Sequence, residues 1–367
     1  MQSETKRDDA SALALLRLEG LSKRLGATAA VDHLSLDLRA GEFFALLGPS
    51  GCGKSTLFRL IAGFERADQG RILLDGVDVT AVAPHRRPLN MVFANDALFP
   101  HLDVEANVAF GLRQEGLPKV EIARRSADMM ALLKLESLGR RLPPQLSAAE
   151  RRRVAIARCL VKRPRLLLLD EPRAPLDRTL RDELRLELGS LQRRLALTFV
   201  VATRERDDAM MLADRVALMD RGRLVQLGTP ADIYERPNSR WAAEISGDVN
   251  LFAGRLGGDG ASVEATAAGR LRVAAPADVE PGAAVWVAVR PERVRIALEG
   301  PVFENSVAAT VLGAAYRGDV LVYTLRIANG ATATAAMANS GGAQAALTPD
   351  RHVWLCFPPE AAMVLRQ

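Results

Sequence analysis

GPSGCGKS, residues 48–55, matches the pattern G-x-x-x-x-G-K-[ST] and decides the fold. It follows the apolar run FFALL (43–47) and precedes a segment from Ser55 to Ala62 that reads as a helix. Strand, glycine loop and helix in that order form the context this motif requires. The glycines let the backbone curl so that its N–H groups face phosphate oxygens, and the helix N-terminus adds a favourable field. Lys54 is expected to reach β- and γ-phosphates and Ser55 to ligate Mg²⁺. Gly48, Pro49, Ser50, Gly51, Cys52, Gly53 and Thr56 complete the expected cradle.

Downstream, RLLLLDEP (165–172) reads as a buried strand closed by two carboxylates. Asp170 is the expected metal-holding group and Glu171 the residue that orients or deprotonates an attacking water. Such a pair is weak on its own and gains its meaning from following the glycine loop.

The rest of the first 240 residues alternates strands and helices. LSLDL (34–38) alternates like a half-buried strand, RILLDGVDV (71–79) turns at Asp75-Gly76, and TFVVAT (198–203) and RVALMD (215–220) read as buried strands. Residues 119–134 carry Val120, Ala123, Ala127, Met130 and Leu133 at helical spacing. Residues 178–196 do the same with Leu180, Leu184, Leu188, Leu191 and Leu195. The pattern predicts an α/β domain with a largely parallel sheet. Near residue 245 the texture changes to short strand-like runs, VWVAV (285–289), SVAATVL (306–312) and VLVYTLRI (320–327), which predict a small all-β barrel or sandwich.

Composition sets outer limits. The charged start, MQSETKRDDASALALL, lacks the apolar core of a signal peptide, and no window resembles a membrane span. Cys52, Cys159 and Cys356 show no metal spacing and read as incidental thiols of a reducing compartment. The net charge of +5 comes from scattered arginines without aromatic interleaving, so no nucleic-acid partner is expected.

With these motifs in place, the chain resembles the ATP-binding subunits of ABC importers of the polyamine type. The likeness rests on VDHLSLDLRAGEFFALLGPSGCGKST, ALFPHLDVEANVAFGL, RPRLLLLDEP and ADRVALMDRGRLVQLGTPADIYERP. SGDVNLFAGRL and AVRPERV resemble the entry to the accessory TOBE domain, and AAYRGDVLVYTLRI lies deeper in it. The resemblance implies a RecA-like P-loop NTPase domain over 15–240, with a helical subdomain at about 95–160, and an OB-like TOBE domain over 248–367. It implies ATP and Mg²⁺ as cofactors, a second ATPase subunit and membrane permease subunits as partners, and a cytoplasmic place on the inner face of the plasma membrane. It also implies that ALFPHL (97–102) lies near the permease contact.

The chain departs from the family pattern at several positions. Leu25 stands where an aromatic residue would stack on adenine, which removes a contact of about 1 kcal/mol. Ala94 replaces a glutamine that would touch the metal and the water. The signature LSGGQ becomes Leu146, Ser147, Ala148, Ala149, Glu150. Each alanine Cβ narrows the backbone's freedom, and Glu150 sets negative charge where a partner's γ-phosphate would approach. The same residues also read as an S-x-x-E capping box, a phosphate reader turned into a helix cap. Arg151 to Arg153 then read as a solvated face, or as a remnant that attracts phosphate. Arg204 replaces a histidine, and either supplies charge as an arginine finger or pairs with Glu171 and silences it. Ala174-Pro175-Leu176-Asp177 keeps its aspartate but gains a proline.

Three functions follow. The first is an energy-coupling subunit of a polyamine importer, with impaired hydrolysis as a homodimer. The second is a nucleotide-binding regulator or structural subunit. The third is one half of a heterodimer completed by an intact ATPase. The β domain either binds a ligand or thickens the dimer contact.

Overall fold

The computed structural model describes residues 14–172, 178–274, 279–339 and 347–366. The chain divides after Pro230 into two compact units.

The first unit runs β1 (Ala14–Leu25), β2 (Thr28–Arg39), β3 (Phe43–Leu47), α1 (Lys54–Ala62), β4 (Gln69–Leu74), β5 (Val77–Asp78), β6 (Leu89–Val92), α2 (Val104–Gln114), α3 (Lys119–Leu132), α4 (Ala148–Leu160), β7 (Leu166–Asp170), α5 (Arg178–Leu195), β8 (Thr198–Thr203), α6 (Arg206–Leu212), β9 (Arg215–Asp220) and β10 (Arg223–Gly228). A six-stranded sheet has the order β10-β9-β3-β8-β7-β6, parallel except for the β9–β10 hairpin. β3, β7 and β8 are buried at every position, as strands covered on both faces must be. The parallel sheet expected from the sequence is present.

A second, antiparallel sheet of order β2-β1-β4-β5 packs its apolar face into the same core. The Asp75-Gly76 turn joins β4 to β5 as predicted. α5 buries Leu184, Leu188 and Leu191. The apolar spacing in α3 is only half a buried stripe: Met130 and, at the helix end, Leu133 are buried as expected, whereas Val120 is 82% exposed, Ala123 and Ala127 face outward, and Ser126 is buried in their place. Its N-terminal turns carry apolar residues on an open surface, because burial begins only where the helix meets its neighbours.

The second unit opens with α7 (Pro230–Glu235) and α8 (Arg240–Ser246), followed by β11 (Asn250–Leu256), β12 (Ser262–Ala265), β13 (Gly269–Arg272), β14 (Ala284–Val289), β15 (Arg295–Ala297), β16 (Asn305–Tyr316), β17 (Val320–Ile327), β18 (Thr332–Ala338), β19 (His352–Phe357) and β20 (Ala362–Leu365). Two antiparallel sheets, β13-β12-β11-β14-β20 and β15-β19-β16-β17-β18, share one core that includes Phe252, Val287, Val311, Leu325 and Phe357. The buried Arg290 ties the opening helices of this unit to β14. It donates to the carbonyls of Tyr234, Ala243, Gly247 and Asp248 and to Ser246 Oγ, and lies over the Tyr234 ring.

Among the described residues, no helix is long and apolar enough to cross a membrane.

Candidate functional site

The central place of β3 builds the site. β8 pairs with β3 on one side and with β7 on the other, so the chain leaves all three strands at one edge of the sheet. In parallel sheets this carboxyl edge is where ligands bind. The loop 48–53 leaves β3 there, Glu171 follows β7 and Arg204 follows β8. Gly48 N–H donates to Thr203 O at 3.3 Å and Glu171 N–H to Ala202 O at 2.9 Å, which fixes the loops to the middle strand.

Two glycines of the loop are dictated by space. A Cβ on Gly48 would lie 2.3 Å from Met219 O. A Cβ on Gly53 would lie 2.0 Å from Ala30 O, and Gly53 has φ 109°. α1 starts immediately after it, with no side chain capping its first turn. The free N–H groups of that turn and the positive end of the helix make a ready anion site.

The cleft has a volume of about 580 Å³ and brings together Leu25, Ser50, Lys54, Ser55, Glu171 and Arg204. Lys54 is 5% exposed and donates to the Gly48 and Pro49 carbonyls at 2.7 and 2.9 Å. Its Nζ also lies 3.9 Å from Glu171 Oε1. Ser55 Oγ donates to Asp170 Oδ1 at 3.1 Å. A hydroxyl and a carboxylate oxygen meeting at the foot of an anion cradle are the hard donors that Mg²⁺ prefers, so these residues fit that ion. Burial pushes the Asp170 carboxyl above its ordinary range, against the Ser55 hydrogen bond and the charges of Lys54, Arg59 and Arg152.

Glu171 holds φ 45°, a left-handed conformation that non-glycine residues avoid. Its Oε1 lies 3.4 Å from Arg204 Nε. Burial pushes this carboxyl up as well, and Lys54 and then Arg204 pull it down. Leu25 is 49% exposed at the rim and leaves the cleft without an aromatic platform at that point.

The stretch 147–150 forms a reciprocal cap at the start of α4. Ser147 N–H donates to Glu150 Oε2 at 2.7 Å, and Glu150 N–H donates to Ser147 Oγ at 3.3 Å. The Ser147 hydrogen bonds hold the Glu150 carboxyl below its ordinary range. Ala148 and Ala149 form the first turn of the helix.

The three arginines that follow are not the solvated face expected from the sequence. Arg151 donates to Leu146 O at 2.6 Å, and Arg153 grips Glu187 with two hydrogen bonds. Arg152 is 1% exposed and donates to the Phe93 and Ala94 carbonyls. At 100° per residue one of three consecutive helical side chains turns inward, and here an acidic residue and free carbonyls await it. Ala94 is therefore tied through its backbone to α4. Asp177 lies outside the described residues, with Arg173 to Leu176.

A second concavity of about 380 Å³ is lined by Phe64, Met91, Phe93, Phe99, Phe110 and Arg158 among others. Phe99 packs on Phe110 with centroids 4.4 Å apart, and Arg158 lies over Phe99. Asn107 is fully buried beneath the loop. It accepts from Phe99 N–H and donates to the carbonyls of Phe99, Leu102 and Asp103. Sequence reasoning missed Asn107, Arg152 and Arg290. The one signal for Asn107 is a polar residue among the apolar positions of ANVAFGL.

The ABC transporter family matches residues 31–174 and the TOBE domain matches residues 287–365. The chain is 44% identical over 357 residues to the putrescine transport ATP-binding protein PotG of Escherichia coli (strain K12), spanning 96% of this chain and 95% of that one. It is 43% identical over 355 residues to the spermidine/putrescine import ATP-binding protein PotA of Rubrobacter xylanophilus, spanning 95% and 93%. Among solved structures, cbiO1 from Clostridium perfringens, part of the ABC transporter complex cbiONQ, superposes with a TM-score of 0.56 and 31% identity, over 61% of this chain and 92% of that one. The dimeric ATP-binding cassette MJ0796 bound to ADP and Pi gives a TM-score of 0.53 and 25% identity, over 58% and 98%.

Proposed function

The chain belongs to the family of ABC transporter ATP-binding subunits, and from that premise we propose that it serves an importer of polyamines such as putrescine or spermidine, binding Mg-ATP but hydrolysing it weakly or not at all as a homodimer. Support for the substrate class comes from the relatives, which carry putrescine and spermidine in their names and match nearly the whole chain.

In this reading the loop 48–53 and the start of α1 take the phosphates and Lys54 neutralises them. Ser55 and Asp170 would hold Mg²⁺, which supplies charge neutralisation to the phosphates when bound. Glu171 would orient the attacking water. The groove beside Phe99 would receive a cytoplasmic helix of the permease, with the chain peripheral on the inner face of the plasma membrane.

The observation that carries weak turnover is the reciprocal cap of Ser147 and Glu150. The cap takes up the Ser147 and Glu150 N–H groups, Cβ atoms stand at 148 and 149 where glycines would let a phosphate come close, and the Glu150 carboxylate repels it. Arg204 adds to this at the other half of the site by sitting against Glu171.

Uptake of labelled putrescine by cells that express this chain with its permease subunits and an intact partner ATPase subunit tests the assignment. Loss of uptake in Lys54→Ala is expected. Uptake that survives that change would mean another subunit supplies the energy.

The asymmetry between an intact phosphate loop and a spent α4 start favours a second reading, one half of a heterodimer. An intact ATPase subunit would then lend its signature to this chain's cleft. Turnover that rises on mixing the two, and is lost when Lys54→Ala is placed here, is the expected result.

A further inference from the structure

The loop that follows β6 is fastened to α4 by two arginines. Arg152 Nη1 and Nη2 donate to the Phe93 and Ala94 carbonyls at 3.0 and 2.9 Å, and its Nε lies 2.9 Å from Asp96 Oδ1. Farther along the helix, Arg158 donates to the Ala97 and Asp96 carbonyls at 2.8 and 3.0 Å. Four carbonyls of one short loop therefore end on one helix. Asp96 and Ala97 hold φ 61° and 44°. Such a turn persists only where its surroundings over-determine it. The same loop supplies Phe93 and Ala97 to the groove, and Phe99 follows directly.

Arg152 is the centre of this arrangement. A planar guanidinium can bridge two carbonyls and a carboxylate at once, and it cannot lose its charge by burial alone. Its removal would take the facing charge from the partly buried Asp96 carboxylate and a side-chain donor from each of the Phe93 and Ala94 carbonyls.

We propose that Arg152 is a positioning residue that binds the loop 93–97, and the groove this loop forms, to α4 as one mechanical piece. Occupancy of the groove then reaches the capped start of α4 through a fixed guanidinium and bypasses the nucleotide. This route rests on the permease reading of the groove; the clamp does not.

Hydrogen exchange on the full chain tests it, with the wild type, Arg152→Gln, Arg152→Lys and Asp96→Asn compared with and without Mg-ATP. The reporters are the Asp96 and Ala97 amides, which donate within the loop to Phe93 O and Asn95 O. In Arg152→Gln they should exchange about tenfold faster or more, while residues 154–160 of α4 keep wild-type rates. Arg152→Lys should not restore protection, because one ammonium lacks the planar fork that reaches two carbonyls while facing the Asp96 carboxylate. Asp96→Asn should fall between, and it carries the test if the Gln variant fails to fold. Mg-ATP should leave the wild-type loop unchanged.

Unchanged loop exchange in Arg152→Gln overturns the clamp. A parallel rise along α4 would show ordinary core packing, and full rescue by lysine would show that charge alone suffices; both overturn it too. Protection of the loop by Mg-ATP overturns the bypass. None of these readouts needs transport, so failure of the uptake experiment leaves them standing.

Discussion

Arg204 Nε lies 3.4 Å from Glu171 Oε1, the same oxygen that faces Lys54 Nζ at 3.9 Å. One carboxylate oxygen thus serves two cations. Burial has the larger hand and keeps the Glu171 carboxyl above its ordinary range in spite of both. The Arg204 side chain is 53% exposed, so the pair itself adds little stability and its effect is on chemistry. In the proposed site a base held by a fixed cation is a weaker base. Arg204→His, assayed with an intact partner subunit, should raise turnover by about tenfold or more. Arg204→Ala should move the acid limb of any pH–rate profile to higher pH, since one of the two cations that lower the Glu171 pKa is gone. An unchanged limb would mean the ion pair does not govern ionisation.

Nucleotide binding should follow the cleft. Lys54→Ala should weaken binding of a fluorescent ATP analogue by about tenfold or more, as loss of a buried charge-assisted contact does. Ser55→Ala should abolish the difference between titrations in Mg²⁺ and in EDTA. Leu25→Tyr should tighten binding by about 1 kcal/mol, near fivefold, if the base lies against that rim position. The same titration measures all three.

The cap predicts a stability effect with a definite pH sign. Ser147→Ala should cost about 1 kcal/mol in urea unfolding. Glu150 has its pKa held below the ordinary glutamate value of 4.5 in the folded chain. Its stabilisation is therefore complete above that value and is lost as pH falls through the folded one. The gap between wild type and Glu150→Gln should be widest near neutral pH and should close below about pH 4.5. A gap that stays constant with pH would show that the carboxylate charge plays no part in the cap.

Arg290 holds five acceptors inside the second unit, four of them backbone carbonyls. Arg290→Met should destabilise that unit by about 3 kcal/mol or more, because the acceptors are left buried and unpaired. Calorimetry should show unfolding shifted to lower temperature while nucleotide affinity is unchanged.

The phosphate cradle was legible because its chemistry needs fixed spacing, and Gly48 and Gly53 have no room for any other residue. The parallel sheet was legible because β3, β7 and β8 each carry an unbroken apolar run, closed in β7 by Asp170 and flanked in β8 by threonines. The cap was legible because its four residues are adjacent. What stayed hidden depends on distant partners. Arg152 reads as one of three surface arginines until Asp96 and the Phe93 and Ala94 carbonyls, more than fifty residues away, are brought to it. Arg290 and Asn107 work mainly through backbone carbonyls, which every residue carries and no pattern marks. Val120 matched a helical period yet faces outward, since spacing gives a face and not its neighbour.

A phosphate cradle without an efficient homodimer around it has a simple consequence for steady-state Mg-ATP hydrolysis by the purified chain, read against Lys54→Ala as the blank. Turnover should equal the blank, or barely exceed it, together with measurable ATP binding. Turnover at about 1 s⁻¹ or more from the chain alone, the ordinary enzyme range, would mean that the capped α4 start still completes a working site.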